Sequence, residues 1–549
     1  MVSSSERIFV SLREQASAIK KNNTRIRDLF NDDQKRFLRF SVTHDDLLLD
    51  FSRNLITPEV FQSLMRLARA ANVEGWRSKK FAGSQINVTE KRSVLQEALR
   101  DFSEPQVPMC DEELRSSAMA ELRSFTDFAE GVRSGQIRGK TNRAFRDVVN
   151  LGIGGSSIGP EAVTMALRPY HTGPSIHYVS NLDPAHIDDT MTALNPETTL
   201  FIVVSKSFNT METMINAQAA QNWIAEHIGE DAIPHHFVGV SENVSKCASL
   251  GLAETRIFRF WDWVCGRCSV WSSAGLSSAI AIGKRYFMEF LSGGHAMDQH
   301  FLNQGLETNF PVILAVLGVW YRNVLGFTSR AIVPYDHRLA RLVDHIQQLE
   351  MESNGKSVCR NGSITPFVTG PVTWGGTGTD CQHSFFQFLH QGTDVVPVDF
   401  LIAAEPHRGD PIQHSKLVAS CIAQSQALMC GTGPSEVGQD FVQKEPHEET
   451  MHMTSPHEMC PGNRPSNVLM YKRLDPYTLG RLIALYEHRS FVQGVIWNIN
   501  SFDQFGVELG KHLTDNLVSS ITDTCNIENI DVSITGLVQH YHKLRSELG

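Results

Sequence analysis

Two short loops hold the residues best suited to gripping an anion. Gly152-Ile153-Gly154-Gly155-Ser156-Ser157-Ile158-Gly159 follows the apolar run DVVNL and opens a helical stretch, EAVTMAL. Glycines let the main chain approach an anion closely, and a helix start offers unbonded N–H groups and a favourable dipole. Ser157 stands where a dinucleotide fingerprint has its third glycine, and no Gly-Lys-Ser/Thr follows, so neither that motif nor a Walker loop is present. Ser205-Lys206-Ser207-Phe208-Asn209-Thr210 follows FIVV and precedes METMINAQAA, a second hydroxyl-rich junction. Alone, the first loop has a ligand-free tight turn as its lesser reading, and the second is equally an N-cap cluster. Two such loops on neighbouring strands point to a phosphate-sized anion. The lack of an Mg²⁺-type motif points to a phosphorylated metabolite rather than a nucleotide.

Other residues have the types needed to move protons. Arg267 lies in the aromatic stretch FWDWVCGRCSVWSS, where burial demands an ion-pair partner or an anionic ligand. Gln348 and Glu352 sit at i and i+4 in LVDHIQQLEMESNGK, and Ser353-Asn354-Gly355 stops that helix, placing Glu352 at its end. A partly desolvated carboxylate there can act as a base, although a surface glutamate is the plainer reading of the helix alone. In WGGTGTDCQHSFFQFLHQG, Thr379 or Asp380 caps a helix closed by Gly392, so His383 falls in its first turn, where the dipole favours a neutral ring. Lys511 follows Gln504 by seven residues on one face of a predicted helix; by itself it reads as a solvated lysine. Cys265 and Cys268 form a lone CxxC without a partner pair or a thioredoxin-like context, which argues against zinc or redox use. His447, His452, His457 and Cys460 fit no finger or helix-face spacing, and Gln443 to Asn467 reads as a surface loop.

The elements that position these groups follow from hydrophobic periodicity. Residues up to about 115 read as mostly helical, as in PEVFQSLMRLARAA from Pro58 to Ala71. From Asp147, short apolar runs alternate with helical stretches, a pattern for βαβ units and parallel sheets covered on both faces. A second alternating region spans roughly 310 to 505, and a helical tail follows. In such sheets ligands sit at the carboxyl ends of the strands. The 549 residues, 41% hydrophobic and 20% charged, describe an ordinary folded chain rather than a disordered, collagenous or coiled-coil one. A net charge of −10 argues against bulk attraction to nucleic acid. Ten irregularly spaced cysteines make no disulfide scaffold. Phe310 to Tyr321, the most apolar stretch, is too short to cross a bilayer and reads as a buried helix. With no signal-like apolar core in MVSSSERIFVSLREQ, the expectation is a soluble protein of the cytoplasm.

Together these segments resemble the glucose-6-phosphate isomerase (phosphoglucose isomerase) family. The resemblance runs from INVTEKRSVLQEALR at 86–100 through LGIGGSSIGP, VSNLD, SKSFNTMET and FWDWVCGRCSVWSSAGL to MESNGK, GTGTDCQHSFFQFLHQG, GNRP, LIALYEH and FDQFGVELGK. It implies an α/β fold of two sugar-isomerase (SIS) domains, each a parallel five-stranded sheet flanked by helices. The implied division is a helical segment at 1–115, a first SIS domain at 116–288 carrying the phosphate loops, a second at 289–505, and a C-terminal helical segment at 506–549 carrying Lys511. It implies the interconversion of glucose 6-phosphate and fructose 6-phosphate with no metal or organic cofactor, in a cytoplasmic homodimer that binds neither nucleic acid nor membrane. By the same resemblance, Ser156, Ser157, Ser205, Ser207 and Thr210 hold the phosphate, with Lys206 and Asn209 in the same loop and Gly155 in the substrate-binding set. His383, reaching in from the other subunit, opens the sugar ring with Lys511 nearby. Glu352 carries the proton between C2 and C1, Arg267 steadies the enediolate, Gln348 orients hydroxyls, and Gly266 and Gln504 complete the substrate set. The chain departs from the family's usual pattern at Ser207 and Asn209 (Thr), Cys265 (Gly), Cys268 (Tyr) and the loop Gly375–Asp380. A non-catalytic sugar-phosphate sensor is the rival from another class, and an isomerase taking mannose 6-phosphate the rival within enzymes. A sensor has no need of Glu352, His383, Lys511 and Arg267, all of which are present.

Overall fold

Short apolar runs become strands wherever both of their faces can be covered. The structure, a computed structural model, describes residues 4–103, 111–432, 456–522 and 530–546. Near the start, β1 (Ser41–His44) and β2 (Leu47–Asp50) form an antiparallel hairpin turning at Asp45, whose φ of +52° suits a short polar side chain. Next come β3 (Asp147–Leu151), β4 (Ser175–Val179), β5 (Thr199–Val204), β6 (Phe237–Ser241) and β7 (Ile257–Arg259). They pair in parallel in the order β4-β3-β5-β6-β7. Every residue of β5 and β6 is buried, as the unbroken apolar runs require of strands sandwiched between helices. Val149, Phe201, Ile224 and Phe237 belong to the core on one side of this sheet.

The second sheet corrects the expectation. β8 (Ser329–Pro334), β9 (Val372–Gly375), β10 (Val398–Ala403) and β11 (Ser466–Tyr471) pair in parallel, but the sheet has six strands, ordered β1-β2-β11-β10-β8-β9. The extra pair is the N-terminal hairpin, with β2 antiparallel to β11 through Val468↔Asp50 and Leu469↔Leu49. Two four-residue strands around an Asp-Asp turn are too short to show a period, so this segment was hidden inside a stretch that reads as helical. Covering the open edge of β11 is what the hairpin does, since Leu47 and Leu49 are fully buried there. Of the expected surface loop Gln443–Asn467, residues 443–455 lie outside the described residues. Its end is not loop at all, because Ser466 and Asn467 open β11 and are buried.

The helices Lys284–Asn303, Phe310–Val319 and Pro476–Ile496 pack together, the last with every residue but Tyr477 buried. Gly293 permits the crossing of the first and third: a Cβ there would stand 1.9 Å from the Tyr477 carbonyl oxygen. Phe310–Val319 is the expected buried helix, and no helix among the described residues is long and apolar enough to cross a membrane. These elements belong to one compact unit, Met1–Ser501. A second unit, Phe502–Gly549, holds the helices Glu508–Thr522 and Val532–Ser546, joined by a His542 Nε2 to Ser520 carbonyl contact of 2.8 Å.

Candidate active site

β3 and β5 are direct neighbours, in register from Asp147↔Thr199 to Leu151↔Val203, so the two hydroxyl-rich loops leave the sheet side by side at its carboxyl edge. The first tightens into a 3₁₀ turn, Gly154–Ser156, before helix Ile158–Ala166. The second leads into helix Met211–Ile228. If these hydroxyls were ordinary caps, Ser157 and Thr210 would bond N–H groups of their own helices. Neither does. Thr210 Oγ1 instead lies 2.9 Å from Ser205 Oγ, and Ser207 Oγ bonds Asn209 Oδ1. Phe208 between them is held at φ +51° with its ring buried, which turns Ser207 and Asn209 outward. Lys206 points elsewhere: its Nζ donates to the carbonyls of Asp262 (2.8 Å) and Val264 (2.9 Å), and burial lowers its pKa.

That lysine braces the turn carrying Arg267. The turn is a 3₁₀ segment, Gly266–Trp271, and the guanidinium is 1% exposed. Its Nε donates to Ser353 Oγ at 2.7 Å, its Nη2 to the Ser501 carbonyl at 2.5 Å, and its Nη1 stands 3.2 Å from Glu352 Oε1. Glu352 Oε2 accepts from Gln348 Nε2 at 2.9 Å, the i to i+4 contact that the helix Ala340–Asn354 predicts. Gly355 ends this helix as expected, and Lys356 Nζ bonds the carbonyls of Glu352 (2.8 Å) and Ser353 (3.0 Å), fixing the last turn. The carboxylate is thus oriented through both oxygens, yet remains 22% exposed and reachable.

The glycine-rich loop after β3 closes against this group. A Cβ on Gly154 would lie 3.3 Å from Gln348 Nε2. On Gly155 it would lie 2.0 Å from the Gly266 carbonyl oxygen and 2.7 Å from the Arg267 nitrogen, both backbone atoms unable to yield separately. Gly155 therefore sets the distance between the anion loop and the arginine. Gly155→Ala is expected to cost about 1–3 kcal/mol of stability and, by displacing the arginine, up to about a hundredfold in turnover. A urea midpoint and a turnover number both at the parental value would show that the contact is dispensable.

His383 joins this cluster through no hydrogen bond or ion pair among the described residues. His383 follows β9 in an exposed position. The expected single helix is broken there: a 3₁₀ turn, Asp380–His383, ends at Ser384 (φ −127°, ψ −71°) before a separate helix, Phe386–Gln391, which Gly392 closes. Four residues of 3₁₀ turn have almost no macrodipole, so the argument for a dipole-neutralised ring falls away. Lys511 lies on Glu508–Thr522 in the second unit, exposed, with Nζ 2.9 Å from Glu508 Oε1. Gln504 precedes that helix at φ −151°, so the expected shared helical face with Lys511 does not form.

Sequence reasoning passed over Ser353 and the Ser501 carbonyl, the anchors of Arg267. It also missed the ionic network behind the turn. Arg100 donates to Asp298 through Nε (2.7 Å) and Nη2 (2.8 Å) and to Glu487 Oε2 (2.9 Å). Trp271, the last residue of the Arg267 turn, donates to Glu487 Oε1 at 2.7 Å, Lys80 pairs with Glu97, and His488 Nε2 is 2.7 Å from Asp298. Glu97, Asp298 and His488 are close enough together to suggest a cation site. The donor set does not suit one, because Lys80 and Arg100 already bind the carboxylates. No local pattern signals this network, since its members are scattered from residue 80 to 488.

The family model described as phosphoglucose isomerase matches residues 50–538. A glucose-6-phosphate isomerase from Xanthobacter autotrophicus is 48% identical over 541 residues, covering 98% of this chain and 99% of the relative. One from Rhizobium meliloti is 48% identical over 525 residues, covering 95% and 97%. Among solved structures, a glucose-6-phosphate isomerase from Chlamydia trachomatis superposes with a TM-score of 0.83 at 30% identity, covering 98% of each chain. Loops, helix and arginine turn thus sit in a chain that aligns with these relatives nearly end to end, and the protein belongs to the phosphoglucose isomerase family.

Proposed function

We propose that the protein interconverts glucose 6-phosphate and fructose 6-phosphate by proton transfer through a cis-enediol(ate). The observation that carries the reading is the Arg267–Glu352–Gln348 group facing the paired hydroxyl loops. The phosphate is held by the loop main chain at Gly155 and by Ser156, Ser157, Ser205, Ser207 and Thr210, with Asn209 at the rim. Lys206 serves by bracing the Gly266–Arg267 turn. A C2 proton is weakly acidic, so removing it needs a base and a fixed positive partner for the charge that appears on oxygen. Glu352 takes the C2 proton and returns it to C1. Arg267, already 3.2 Å from that carboxylate, stabilises the enediolate. Gln348 keeps one amide oxygen without a protein partner, which suits it to accept from a sugar hydroxyl. The ring-opening step is assigned, on the family resemblance, to His383 and Lys511. The exposure of His383 and its lack of a bond to Glu352 support its acting from a second copy of the chain, in a cytoplasmic homodimer.

A coupled assay of fructose 6-phosphate to glucose 6-phosphate on metal-stripped protein tests the reading. Activity is expected to persist in EDTA. Activity that returns only with added Mg²⁺ or Zn²⁺ would overturn the metal-free route, and no turnover of either phosphosugar would overturn the isomerase itself.

A further inference from the structure

The CxxC beside Arg267 has a setting that its sequence did not reveal. The Cys268 N–H donates to the Cys265 carbonyl at 3.0 Å, closing a turn between the two residues. Such a turn holds its end Cα atoms within about 7 Å, a span that overlaps the roughly 4.4–6.8 Å of natural disulfides. Both thiols are free. Cys265 is partly exposed, whereas Cys268 is 3% exposed behind it. The less buried residue is the one a small oxidant meets first, and the other is placed behind it to resolve the product. Cations flank the outer sulfur: Lys206 Nζ sits on the carbonyl of Val264, the residue before it, and Arg267 is two residues on.

We propose that Cys265 and Cys268 are a modification site, a dithiol that hydrogen peroxide closes to a disulfide, and that closure disables the Arg267–Glu352 pair. In the first step the Cys265 thiolate attacks a peroxide oxygen. The S–O bond forms, the O–O bond breaks, and hydroxide leaves with the electron pair. In the second, the Cys268 sulfur attacks the resulting sulfenic sulfur, the S–S bond forms, and the departing hydroxide takes the Cys268 proton as water. Two thiols and one peroxide give one disulfide and two waters, with two electrons passing from sulfur to oxygen.

Charge and burial divide the roles in the same way. The hydrogen bond from Cys268, opposed by burial and helped by Arg267 and Lys206, holds Cys265 below the ordinary thiol range, while Cys268 is pushed well above it. Burial pushes Cys247, Cys381 and Cys421 up, making them poor nucleophiles. The mechanical link is short. Drawing the sulfurs in to a bond of about 2.05 Å reshapes the turn that contains Gly266 and Arg267. Gly266 is packed against Gly155 with no slack, and Arg267 is tied to three partners.

Hydrogen peroxide titration of the full chain, followed by alkylation and non-reducing peptide mass analysis, tests this. The peptide containing both cysteines is expected to lose two hydrogens. Isomerase activity is expected to fall about a hundredfold, the scale of displacing a catalytic group by an ångström, and dithiothreitol restores both. Cys265→Ser keeps its activity through the same exposure, and Cys268→Ser traps a dimedone-reactive sulfenic acid at Cys265. Cys265 alkylation in the untreated chain levels off at a lower pH than that of an ordinary thiol. An unchanged mass, a bridged form with full activity, or a Cys265→Ser variant as sensitive as the parent overturns the proposal. The activity arm rests on the isomerase reading. A chain inactive before peroxide defeats that reading alone, because the mass arm reads the bridge directly.

Discussion

Glu352→Gln is expected to bind phosphosugar within a few-fold of the parent while isomerisation and exchange of the C2 proton with solvent fall by about 10²–10⁴-fold, the range a positioned general base contributes. The substitution is nearly isosteric and keeps an oxygen for the Gln348 amide or for Arg267. In the proposed mechanism it removes the group that takes the proton and nothing in the loops assigned to the phosphate. Binding and chemistry therefore separate, the pattern of an interaction made only in the transition state. The measurements are proton exchange in deuterated water and the coupled rate, beside a direct binding titration. Parental turnover would remove Glu352 from the base role, and a loss confined to affinity would make it a binding residue.

Arg100→Met is expected to destabilise the larger unit by about 3–5 kcal/mol, the usual consequence of deleting one partner from a buried ionic group. Arg100 is wholly buried and compensates Asp298 and Glu487 at once, with Glu97 close by. Methionine fills much of the volume and supplies none of the charge, leaving carboxylates in an apolar interior. Burial already pushes Glu487 up to about 7 despite Arg100, above the roughly 4.3 of an unfolded chain. A carboxyl whose folded pKa is raised favours the fold while protonated. Its contribution is complete below about 4.3 and is lost as pH rises through about 7. Without Arg100 the carboxyl rises further, so the variant's deficit grows with pH and is larger at pH 8 than at pH 6. Urea unfolding followed by tryptophan fluorescence reads this well, because Trp271 is bonded to Glu487. A midpoint that does not move, or a deficit that shrinks as pH rises, would count against the network.

The side-by-side placement of the two hydroxyl-rich loops could be read in the chain because glycines and hydroxyls directly follow unbroken apolar runs, and a parallel sheet places the ends of neighbouring runs together. Gln348 and Glu352 could be read because helix geometry puts i and i+4 side by side. The features that escaped depend on distance in the chain or on a broken period. The β1–β2 hairpin has too few residues to declare a strand, and its partner lies at the far end of the sequence. Around His383 a single capped helix was the natural inference, but the chain breaks at Ser384. Gln504 and Lys511 are seven residues apart, yet the helix begins only at Glu508. The anchors of Arg267 come from Ser353 and Ser501, contacts that only packing creates. The CxxC looked idle for the same reason, since its neighbours Lys206 and Glu352 arrive from other elements.

The hairpin's long-range pairing also sets a timetable for synthesis. β2 ends at Asp50, but β11, the strand it must cover, begins only at Ser466. At roughly 5–20 residues per second, a ribosome needs about 20–80 s to cross that interval. Throughout it the leucines of β2 emerge with no edge to pair with, and β10 later waits for β11. The nascent chain must therefore carry an apolar, unpaired hairpin for most of its translation. Its yield in a cell should depend on a holding chaperone at the N-terminus more than on the stability of the finished fold.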